Sequence, residues 1–425
     1  MIFLKQSLVL DHTVNAHKIP AILDHICQRC GGEINNTSLD DYFRYYCRDC
    51  EGFGRVVEGT YLYRFERVIQ KKEHVMNLKF ELSEEQKKAS QFLLNSLKSN
   101  HEGYLYAVCG AGKTEILYET IFSSLQMGYK ICLAIPRTDV VKELTKRFIP
   151  IFPKTVIHSL YRDEKIDENA DILISTVHQL IHYYHEFDLM IIDEADAFPY
   201  KNNLFLERLV KRALKPEGCF IMMSATYEDK SIKSMKKARK SIYRLPARYH
   251  RHQLDHFRIV YTKNSHQVNQ SFFDNELFIW IEMKIKMNIS TMIFVPTIEI
   301  GKQLEMGFRV QGIRCLNVSS VDQNRNDKIK QFREGKILTL ITTTLLERGI
   351  TIKGVDVGII NANHSVFNRH TLIQIAGRVG RHIDFPNGEI VLFTSRINRE
   401  IKAAKAYIVH MNREASKRGL LDHDL

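Results

Sequence analysis

The chain has 425 residues, of which 44% are hydrophobic and 26% are charged, and this composition excludes a disordered chain. A single hydrophobic core stops growing at roughly 250 to 300 residues, so we expect two or three domains. Lysine and arginine outnumber the acidic residues by 61 to 49, and the formal charge of +12 favours a polyanionic partner, either a nucleic acid or an anionic membrane surface.

The sequence also bears on the compartment. No apolar run approaches the ~18 residues that a membrane-spanning helix needs, and the N-terminal MIFLKQSLVL lacks the length and cleavage site of a signal peptide. The cysteine pattern agrees with a cytosolic protein, because only four of the eight cysteines form CxxC pairs. The other four stand singly in apolar surroundings and are predicted to be buried thiols: Cys109, Cys132, Cys219 and Cys315.

Residues 1–76 are predicted to form a small separate module, because they contain few long helical patterns, many aromatic residues and both CxxC pairs. Sixteen residues separate Cys27 and Cys30 from Cys47 and Cys50, which is the spacing of a tetrahedral zinc site with four cysteine ligands. Closing the loop with a metal lets a short segment fold without a large core. The alternative, a redox-active CxxC, usually occurs once and beside a strand–helix pattern.

Residues 77–246 alternate short apolar runs with amphipathic stretches. Near-continuous apolar strands separated by helices indicate a parallel sheet that is covered on both faces. The predicted strands are YLYAVCG, YKICLAIP, ADILIST, FDLMIIDEAD and CFIMMSAT, and the predicted helices include KTEILYETIFSSLQ and DVVKELTKRFI.

The first of these strands runs directly into a glycine-rich turn and a helix, which predicts a phosphate loop for ATP. Glycine lets backbone N–H groups point inward, and the helix presents its positive end to the phosphates. Lys113 would neutralise the β and γ phosphates, and the Thr114 hydroxyl would bind Mg²⁺. Ala107 replaces the first glycine of the general motif, and a chance GxGKT is the alternative. The predicted nucleotide-binding residues here are Cys109, Gly110, Ala111, Gly112, Lys113 and Thr114.

Two carboxylates follow the apolar strand FDLMII, where ligands bind in parallel sheets. Asp193 is predicted to hold Mg²⁺ through water, and Glu194 to orient or deprotonate the attacking water. The alternative is that both residues only cap the next helix. Gln86 lies about one helix before the phosphate loop and is predicted to hydrogen-bond adenine, the alternative being an exposed helical glutamine.

Residues 247–425 repeat the α/β pattern. Between the two series, residues 230–251 are rich in lysine and arginine and form either a solvated connector or a phosphate-contacting surface. The predicted strands of the second series are STMIFVPT, IRCLNVSS, ILTLITT, DVGIINAN and GEIVLFTS.

Five motifs in register resemble those of superfamily 2 helicases, over roughly residues 80–400: VCGAGKT, DEAD, SAT at residues 224–226, TTTLLERGI at residues 342–350 and QIAGRVGR at residues 374–381. The resemblance implies two tandem RecA-like domains that use ATP and Mg²⁺. It also implies that Glu347 and Gly349 line the nucleotide cleft, and that SAT links hydrolysis to domain movement.

Arg378 and Arg381 are predicted to supply the positive charge that phosphoryl transfer needs. Their pattern looks helical, and residues i and i+3 share one face of a helix, so both would reach one cleft. A structural salt bridge is the alternative for either arginine.

By the same resemblance, further positions would contact a nucleic acid strand through phosphate oxygens, which predicts binding that is independent of sequence. The alternative is that these are ordinary residues at strand ends. The positions are residues 136–138, the segment STVHQL from Ser175, Pro296, Thr297 and Thr343.

Together with the N-terminal cysteines, DEADAFPY at residues 193–200 and LPARYH at residues 245–250 resemble the ComFA family of late-competence DNA-uptake ATPases. The resemblance covers essentially the full length. It implies a motor at the cytoplasmic face of the membrane that pulls single-stranded DNA through the ComEC channel without unwinding duplex, with ComFC and DprA as partners. Whether the chain forms a homo-oligomer is left open.

Two rival functions stand beside this interpretation. A replication-restart helicase resembling PriA also combines zinc with such a motor, but there the cysteines interrupt the helicase region, whereas here they precede it. A nucleotide-dependent scaffold without turnover is the other rival. The presence of Lys113, Glu194, Arg378 and Arg381 argues against a scaffold.

Overall fold

The computed structural model describes residues 2–4, 16–65, 72–162, 164, 166–167, 169–197, 199–227, 229–262, 275–347 and 352–422. The chain forms two compact units. The first contains Met1–Tyr106 and Thr114–Arg244, and the second contains Ala107–Lys113 and Leu245–Leu425. Among the described helices, none combines the length and apolar character needed to cross a membrane.

The N-terminal part of the first unit is built from short strands around the cysteines. One antiparallel sheet has the order β1-β5-β2, and a hairpin joins β3 to β4. A 3₁₀ helix at Arg48–Phe53 carries the last cysteine of the four. The strands are β1 (Ile2–Leu4), β2 (Ala16–Pro20), β3 (Ile22–Leu23), β4 (Ile26–Cys27) and β5 (Tyr61–Phe65).

The larger part of the first unit is a seven-stranded sheet with helices between its strands. Its strands are β6 (Gly103–Ala107), β7 (Ile131–Ile135), β8 (Ile157–Leu160), β9 (Ile172–Thr176), β10 (Phe187–Ile192), β11 (Leu214–Ser224) and β12 (Ser241–Leu245). Their order is β12-β6-β11-β10-β7-β9-β8, and the pairings from β6 through β8 are parallel. The helices are α1 (Glu84–Lys98), α2 (Lys113–Gln126), α3 (Thr138–Phe148), α4 (Leu204–Ala213) and α5 (Asp229–Lys237), with a 3₁₀ helix at Val177–His182.

The second unit repeats this architecture with a six-stranded parallel sheet of order β13-β18-β17-β14-β16-β15. Its strands are β13 (Phe257–Tyr261), β14 (Ser290–Phe294), β15 (Cys315–Val318), β16 (Thr339–Thr342), β17 (Val355–Ile360) and β18 (Ile390–Thr394). Its helices are α6 (Asn275–Lys286), α7 (Ile298–Val310), α8 (Arg325–Arg333), α9 (Arg369–Ala376) and α10 (Arg399–Lys417), with a 3₁₀ helix at Thr344–Glu347.

The predicted fold class is confirmed: two parallel α/β domains follow a four-cysteine cluster. Each of the ten predicted strands is present, because continuous apolar runs such as those of β7 and β9 are buried along their whole length. Strand β8 was not predicted, since its His158 and Ser159 interrupt the apolar run and leave it half-buried. Of the four single cysteines, Cys315 is only partly buried.

The basic stretch at residues 230–251 has regular secondary structure, and many of its basic residues are exposed, which agrees with the solvated interpretation for Lys233, Lys236, Lys237, Arg239 and Lys240. Much of it forms α5 and β12, which extends the first sheet. Beyond β12, Arg248 and His250 are buried. The burial of these two side chains could not be recognised from composition alone.

Candidate nucleotide site, nucleic-acid contacts and four-cysteine cluster

The predicted phosphate loop connects the end of β6 at Ala107 to the start of α2 at Lys113. Gly110 and Gly112 have φ angles of +82° and +76°, which glycine adopts without steric cost. The side-chain nitrogen of Lys113 donates to the Ala107 carbonyl at 3.1 Å, so the lysine lies over its own loop. A tight turn that ends in a helix N-terminus and a lysine fits a phosphate group.

In the first unit, the DEAD segment follows β10 and the SAT segment follows β11, and these two strands are adjacent and parallel. The Thr226 hydroxyl donates to a carboxylate oxygen of Asp196 at 2.6 Å. The Ser224 hydroxyl in turn donates to the Thr226 carbonyl at 2.6 Å. A hydrogen bond to an ionised carboxylate is among the stronger ones in proteins, so SAT and DEAD are directly coupled.

The first two carboxylates of DEAD occupy the carboxyl edge of the sheet, as predicted. Asp193 is buried, and one of its oxygens accepts from the Glu194 N–H at 2.8 Å. Glu194 has a φ of +55°, a left-handed conformation that is uncommon for glutamate and that marks functional sites in many proteins. The helix-cap alternative is wrong, because α4 begins at Leu204 and its N-cap is Asn203.

Gln86 lies in the first turn of α1 and is buried, so the alternative of an exposed glutamine is wrong. Its side-chain oxygen accepts from the Ser83 N–H at 2.9 Å, and its own N–H donates to the Ser83 hydroxyl at 3.4 Å. This reciprocal pair is a capping box, which a Ser followed three residues later by Gln could have indicated. Adenine recognition by Gln86 stays a prediction.

The helical face predicted for Arg378 and Arg381 is wrong. Helix α9 ends at Ala376, and residues 377–380 form a turn in which Gly380 has a φ of +63°. Glycine at positions 377 and 380 disfavours a continued helix and permits the left-handed conformation. We call residues 377–381 the arginine turn. Within it Arg378 is buried, and the Arg381 side chain donates to the Gly377 carbonyl.

The second unit brings the phosphate-loop segment against α9. The Cys109 thiol donates to the side-chain oxygen of Gln374 at 3.3 Å. A Cβ on Gly377 would lie 2.3 Å from the Cβ of Cys109, so only glycine allows this approach. Two segments that the sequence places 265 residues apart are therefore in contact. The Glu347 side chain and Gly349 lie outside the described parts of the chain, and their role stays a prediction.

The positions predicted to contact nucleic acid lie at strand ends. Residues 136–138 follow β7, and Thr343 follows β16. Pro296 is buried, and Thr297 is the N-cap of α7, where its hydroxyl accepts from the Ile300 N–H at 3.2 Å. Ser175 is fully buried within β9, which agrees with the alternative of an ordinary strand residue. Contact with phosphate stays a prediction for all of these positions.

The four predicted zinc ligands are brought together. Their sulfurs all lie within 4.8 Å of one another and are buried. Cys27 and Cys50 are 3.8 Å apart between sulfurs, and Cys30 and Cys47 are 3.5 Å apart. Tetrahedral zinc with Zn–S bonds of about 2.3 Å separates its sulfur ligands by about 3.8 Å, so the cluster fits Zn²⁺.

Basic groups and N–H donors surround these sulfurs and suit the negative charge of a four-thiolate site. The Arg29 side chain donates to the Cys50 sulfur at 3.4 Å, and the Gly32 N–H donates to the Cys30 sulfur at 3.4 Å. Such donors around a metal-binding sulfur tune the site as strongly as its ligands do.

The four-cysteine module packs against the first sheet and shares its hydrophobic core. Arg212 of α4 donates to the Gln28 carbonyl at 2.7 Å, and Arg208 of the same helix pairs with Asp49. Phe53 stacks on His178, which lies in the 3₁₀ helix after β9. The cysteine cluster therefore supports elements of the first sheet, which its separate position in the sequence does not reveal.

Lowering the pH from 7 to 5 should destabilise the second unit, because His250 is protonated in the unfolded state at pH 5 but stays mostly neutral in the folded state. Burial, together with the charges of Arg248 and His252, lowers the pKa of His250 to about 4. The unfolded state therefore binds more protons at pH values between about 4 and 6.5, so stability is complete above this range and is lost as the pH falls through it. We expect a loss of about 2 kcal/mol between pH 7 and pH 5.

Urea unfolding at several pH values would measure this loss. Replacing His250 by glutamine should flatten the pH dependence, since the amide retains a donor for the Gly380 carbonyl, which the His250 ring contacts at 2.9 Å. His256→Gln is the matched control, because His256 is exposed. An identical pH slope in the wild type and in His250→Gln would contradict the prediction.

Comparison with protein families gives two matches along the chain. Residues 79–229 match the model described as "Type III restriction enzyme, res subunit", and residues 274–383 match "Helicase conserved C-terminal domain". These matches imply an ATP-dependent, helicase-like enzyme with ATP and Mg²⁺ as cofactors. All four clustered cysteines precede both matched regions.

Comparison with individual proteins extends the likeness over nearly the whole chain. The chain is 35% identical to competence protein ComFA of Bacillus subtilis over 92% of its length and 86% of that protein. It is 34% identical to competence protein ComFA of Streptococcus pneumoniae over 97% of both. Among solved structures, S. cerevisiae Dbp5 bound to RNA and ADP BeF3 has a TM-score of 0.60 at 19% identity, covers 80% of this chain and 94% of Dbp5, and shows the shared fold alone.

Proposed function

We propose, from the premise that the chain belongs to the ComFA family of competence proteins, that it is a DNA-stimulated ATPase that moves along single-stranded DNA. The chain is a competence-associated, helicase-like ATPase of superfamily 2. We further propose that ATP hydrolysis drives the import of single-stranded DNA during transformation.

The observation that carries the proposal is the hydrogen bond between Thr226 and Asp196 at 2.6 Å. Asp196 belongs to the same short segment as Asp193 and Glu194, which are proposed to act on Mg²⁺ and on the attacking water. A change at these carboxylates during hydrolysis would therefore reach SAT directly. A motor needs such a connection between chemistry and movement, whereas a protein that only binds nucleotide does not.

The proposed roles in hydrolysis follow from the charge that phosphoryl transfer develops. Backbone N–H groups of residues 109–114 and the side chain of Lys113 would hold the phosphates. Thr114 and Asp193 would hold Mg²⁺, which neutralises charge on the phosphate oxygens when bound. Glu194 would accept a proton from the attacking water, and Arg378 and Arg381 would stabilise the transferring phosphoryl group.

The four cysteines are proposed to hold Zn²⁺ in a structural role, because all four positions of a tetrahedral ion would be filled by protein. The zinc would crosslink the module on which α4 and the 3₁₀ helix after β9 pack. The four ligands are Cys27, Cys30, Cys47 and Cys50.

Family membership and charge support the proposed partners and place of action. The formal charge of +12 suits a phosphate backbone, and contacts through hydroxyl groups would bind it without regard to sequence. We propose work at the inner face of the cell membrane beside the ComEC channel, with ComFC and DprA as protein partners. The PriA-like alternative is disfavoured, because the four cysteines lie before residue 79, where the helicase-like match begins.

The proposal is tested by measuring ATP hydrolysis with single-stranded DNA, duplex DNA and RNA of matched length at one stated salt concentration. We expect the largest stimulation from single-stranded DNA. Equal rates with and without every nucleic acid would contradict a DNA-driven motor. A strand-displacement assay on a forked duplex tests translocation without unwinding, and robust unwinding would overturn that part.

A further inference from the structure

The segment that follows β12 contacts both the phosphate-loop segment and the arginine turn. Both belong to the second unit, and both are proposed to act in ATP hydrolysis. This linking segment, residues 245–255, contains Arg248, whose side chain is 3% exposed. An arginine is rarely buried to this extent without a role for its donors. All the residues discussed below belong to the second unit.

One side of the linking segment is hydrogen-bonded to the phosphate-loop segment. The Val108 N–H donates to the Leu245 carbonyl at 3.1 Å, and the Tyr249 N–H donates to the Gly110 carbonyl at 3.1 Å. A Cβ on Gly110 would lie 3.4 Å from Cγ of Arg248. The stem of Arg248 therefore packs against the backbone that is proposed to hold the phosphates.

The other side of the linking segment holds the arginine turn. One terminal nitrogen of Arg248 donates to the Val379 carbonyl at 2.9 Å, and the other donates to the Pro386 carbonyl at 3.2 Å. His250 contacts the Gly380 carbonyl at 2.9 Å. Because the His252 N–H donates to Nδ1 of His250 at 3.3 Å, the proton of the neutral ring lies on Nε2 and points to Gly380.

Asp255 fixes the guanidinium of Arg248 in this position. Its carboxylate accepts from both terminal nitrogens of Arg248, at 3.1 and 3.2 Å. Its second oxygen accepts from the Gly388 N–H at 3.0 Å. The geometry at Gly380 leaves little freedom, since a Cβ there would lie 2.3 Å from the Arg248 side chain.

We propose that Arg248 is a positioning residue for ATP hydrolysis, which holds the backbone of the arginine turn in register with the phosphate-loop segment. This inference rests on the proposed function, because it assumes that Arg378 and Arg381 act on the transferring phosphoryl group. Both terminal nitrogens of Arg248 are bound to carbonyl groups and to Asp255, so these donors hold protein groups and are not available to phosphate. Its proposed role is to fix the positions of Arg378 and Arg381.

The test replaces Arg248 by methionine, which keeps a long apolar stem and removes every donor. Misplacement of a catalytic group by about 1 Å lowers rates by about 100-fold, so we expect kcat for single-stranded-DNA-stimulated hydrolysis to fall by about 10- to 100-fold. Affinity for a fluorescent non-hydrolysable ATP analogue should change by less than about 3-fold, since the phosphate loop keeps its own donors. Arg251→Met is the matched control, because Arg251 lies in the same segment, is exposed and pairs with Asp422.

A double-mutant cycle distinguishes positioning from general damage. If Arg248 acts through the arginine turn, Arg248→Met should cause no further loss of kcat in a background in which both Arg378 and Arg381 are replaced by alanine. Equal losses in both backgrounds would overturn the inference. Thermal unfolding establishes whether Arg248→Met folds, and Arg248→Lys, which can keep the Asp255 pair but not the paired carbonyl bonds, should then show an intermediate kcat.

The outcomes also separate this inference from the proposed function. A wild-type protein that does not hydrolyse ATP would contradict the proposed function itself. A wild-type protein that hydrolyses ATP, beside an Arg248→Met variant with unchanged kcat, would overturn only the role of Arg248.

Discussion

Replacing Glu194 by glutamine should lower the rate of DNA-stimulated ATP hydrolysis by about 10²- to 10⁴-fold, the range that a general base contributes. Glutamine has nearly the same shape as glutamate, but its amide cannot accept the proton of the attacking water. The backbone of residue 194 should keep its position, because its N–H is bound to Asp193 at 2.8 Å and glutamine retains that N–H. ATP binding should therefore be preserved while turnover is lost.

Steady-state hydrolysis with saturating single-stranded DNA measures the rate, and fluorescence of an ATP analogue measures binding. Glu119→Gln is a suitable control, since Glu119 is an exposed glutamate of α2 in the same unit. If the wild type and Glu194→Gln had the same unstimulated rate, the nucleotide-dependent scaffold would become the better interpretation. If turnover is lost with binding intact, the scaffold is excluded.

Replacing Cys27 by serine should strip most of the zinc from the protein and unfold the N-terminal module. Structural zinc sites bind with apparent free energies of about 10 to 16 kcal/mol, and much of this free energy is folding free energy. Serine supplies no thiolate, so zinc would keep three sulfur ligands and one open position. Cys27 is fully buried, so the serine hydroxyl would also be shielded from water.

Elemental analysis of purified protein measures bound zinc, and limited proteolysis measures the folding of the module. Cys315→Ser is the control, because Cys315 lies in the second unit, and burial raises the pKa of its thiol to about 12. Zinc content should be unchanged in Cys315→Ser. Unchanged zinc in Cys27→Ser would refute the metal site.

Loss of zinc should also lower the stability of the first sheet. The cysteines share one core with buried residues of β7, β9 and β10, and Arg212 reaches from α4 to the Gln28 carbonyl. We therefore expect the chelated wild-type protein to lose thermal stability in the first unit rather than in the N-terminal module alone. Two well-separated transitions, with only the smaller one moved by chelation, would contradict this.

The sequence by itself determined the architecture, the glycine-rich turn between β6 and α2, and which four cysteines come together. Parallel strands covered on both faces are mostly apolar, so β7, β9 and β10 could be located from their apolar runs in the sequence. The loop needs glycine where φ is positive, as at Gly110 and Gly112, and it needs the lysine next to them. These requirements involve residues that are close together in the chain, so they can be recognised in short stretches of sequence.

Only the tertiary structure decided how these parts are connected. The end of α9 before Arg378, the burial of Arg248 and the bond from Thr226 to Asp196 depend on groups that are distant in the sequence or that lie in turns without a period. Residues 109 and 374 are 265 positions apart, and their contact requires a glycine at position 377 that sequence periodicity alone would take as a weak point of a helix. Periodicity reports which face of an element is buried, but the partner across that face is chosen by packing and by the pairing of buried polar groups, which become defined only when the chain is folded.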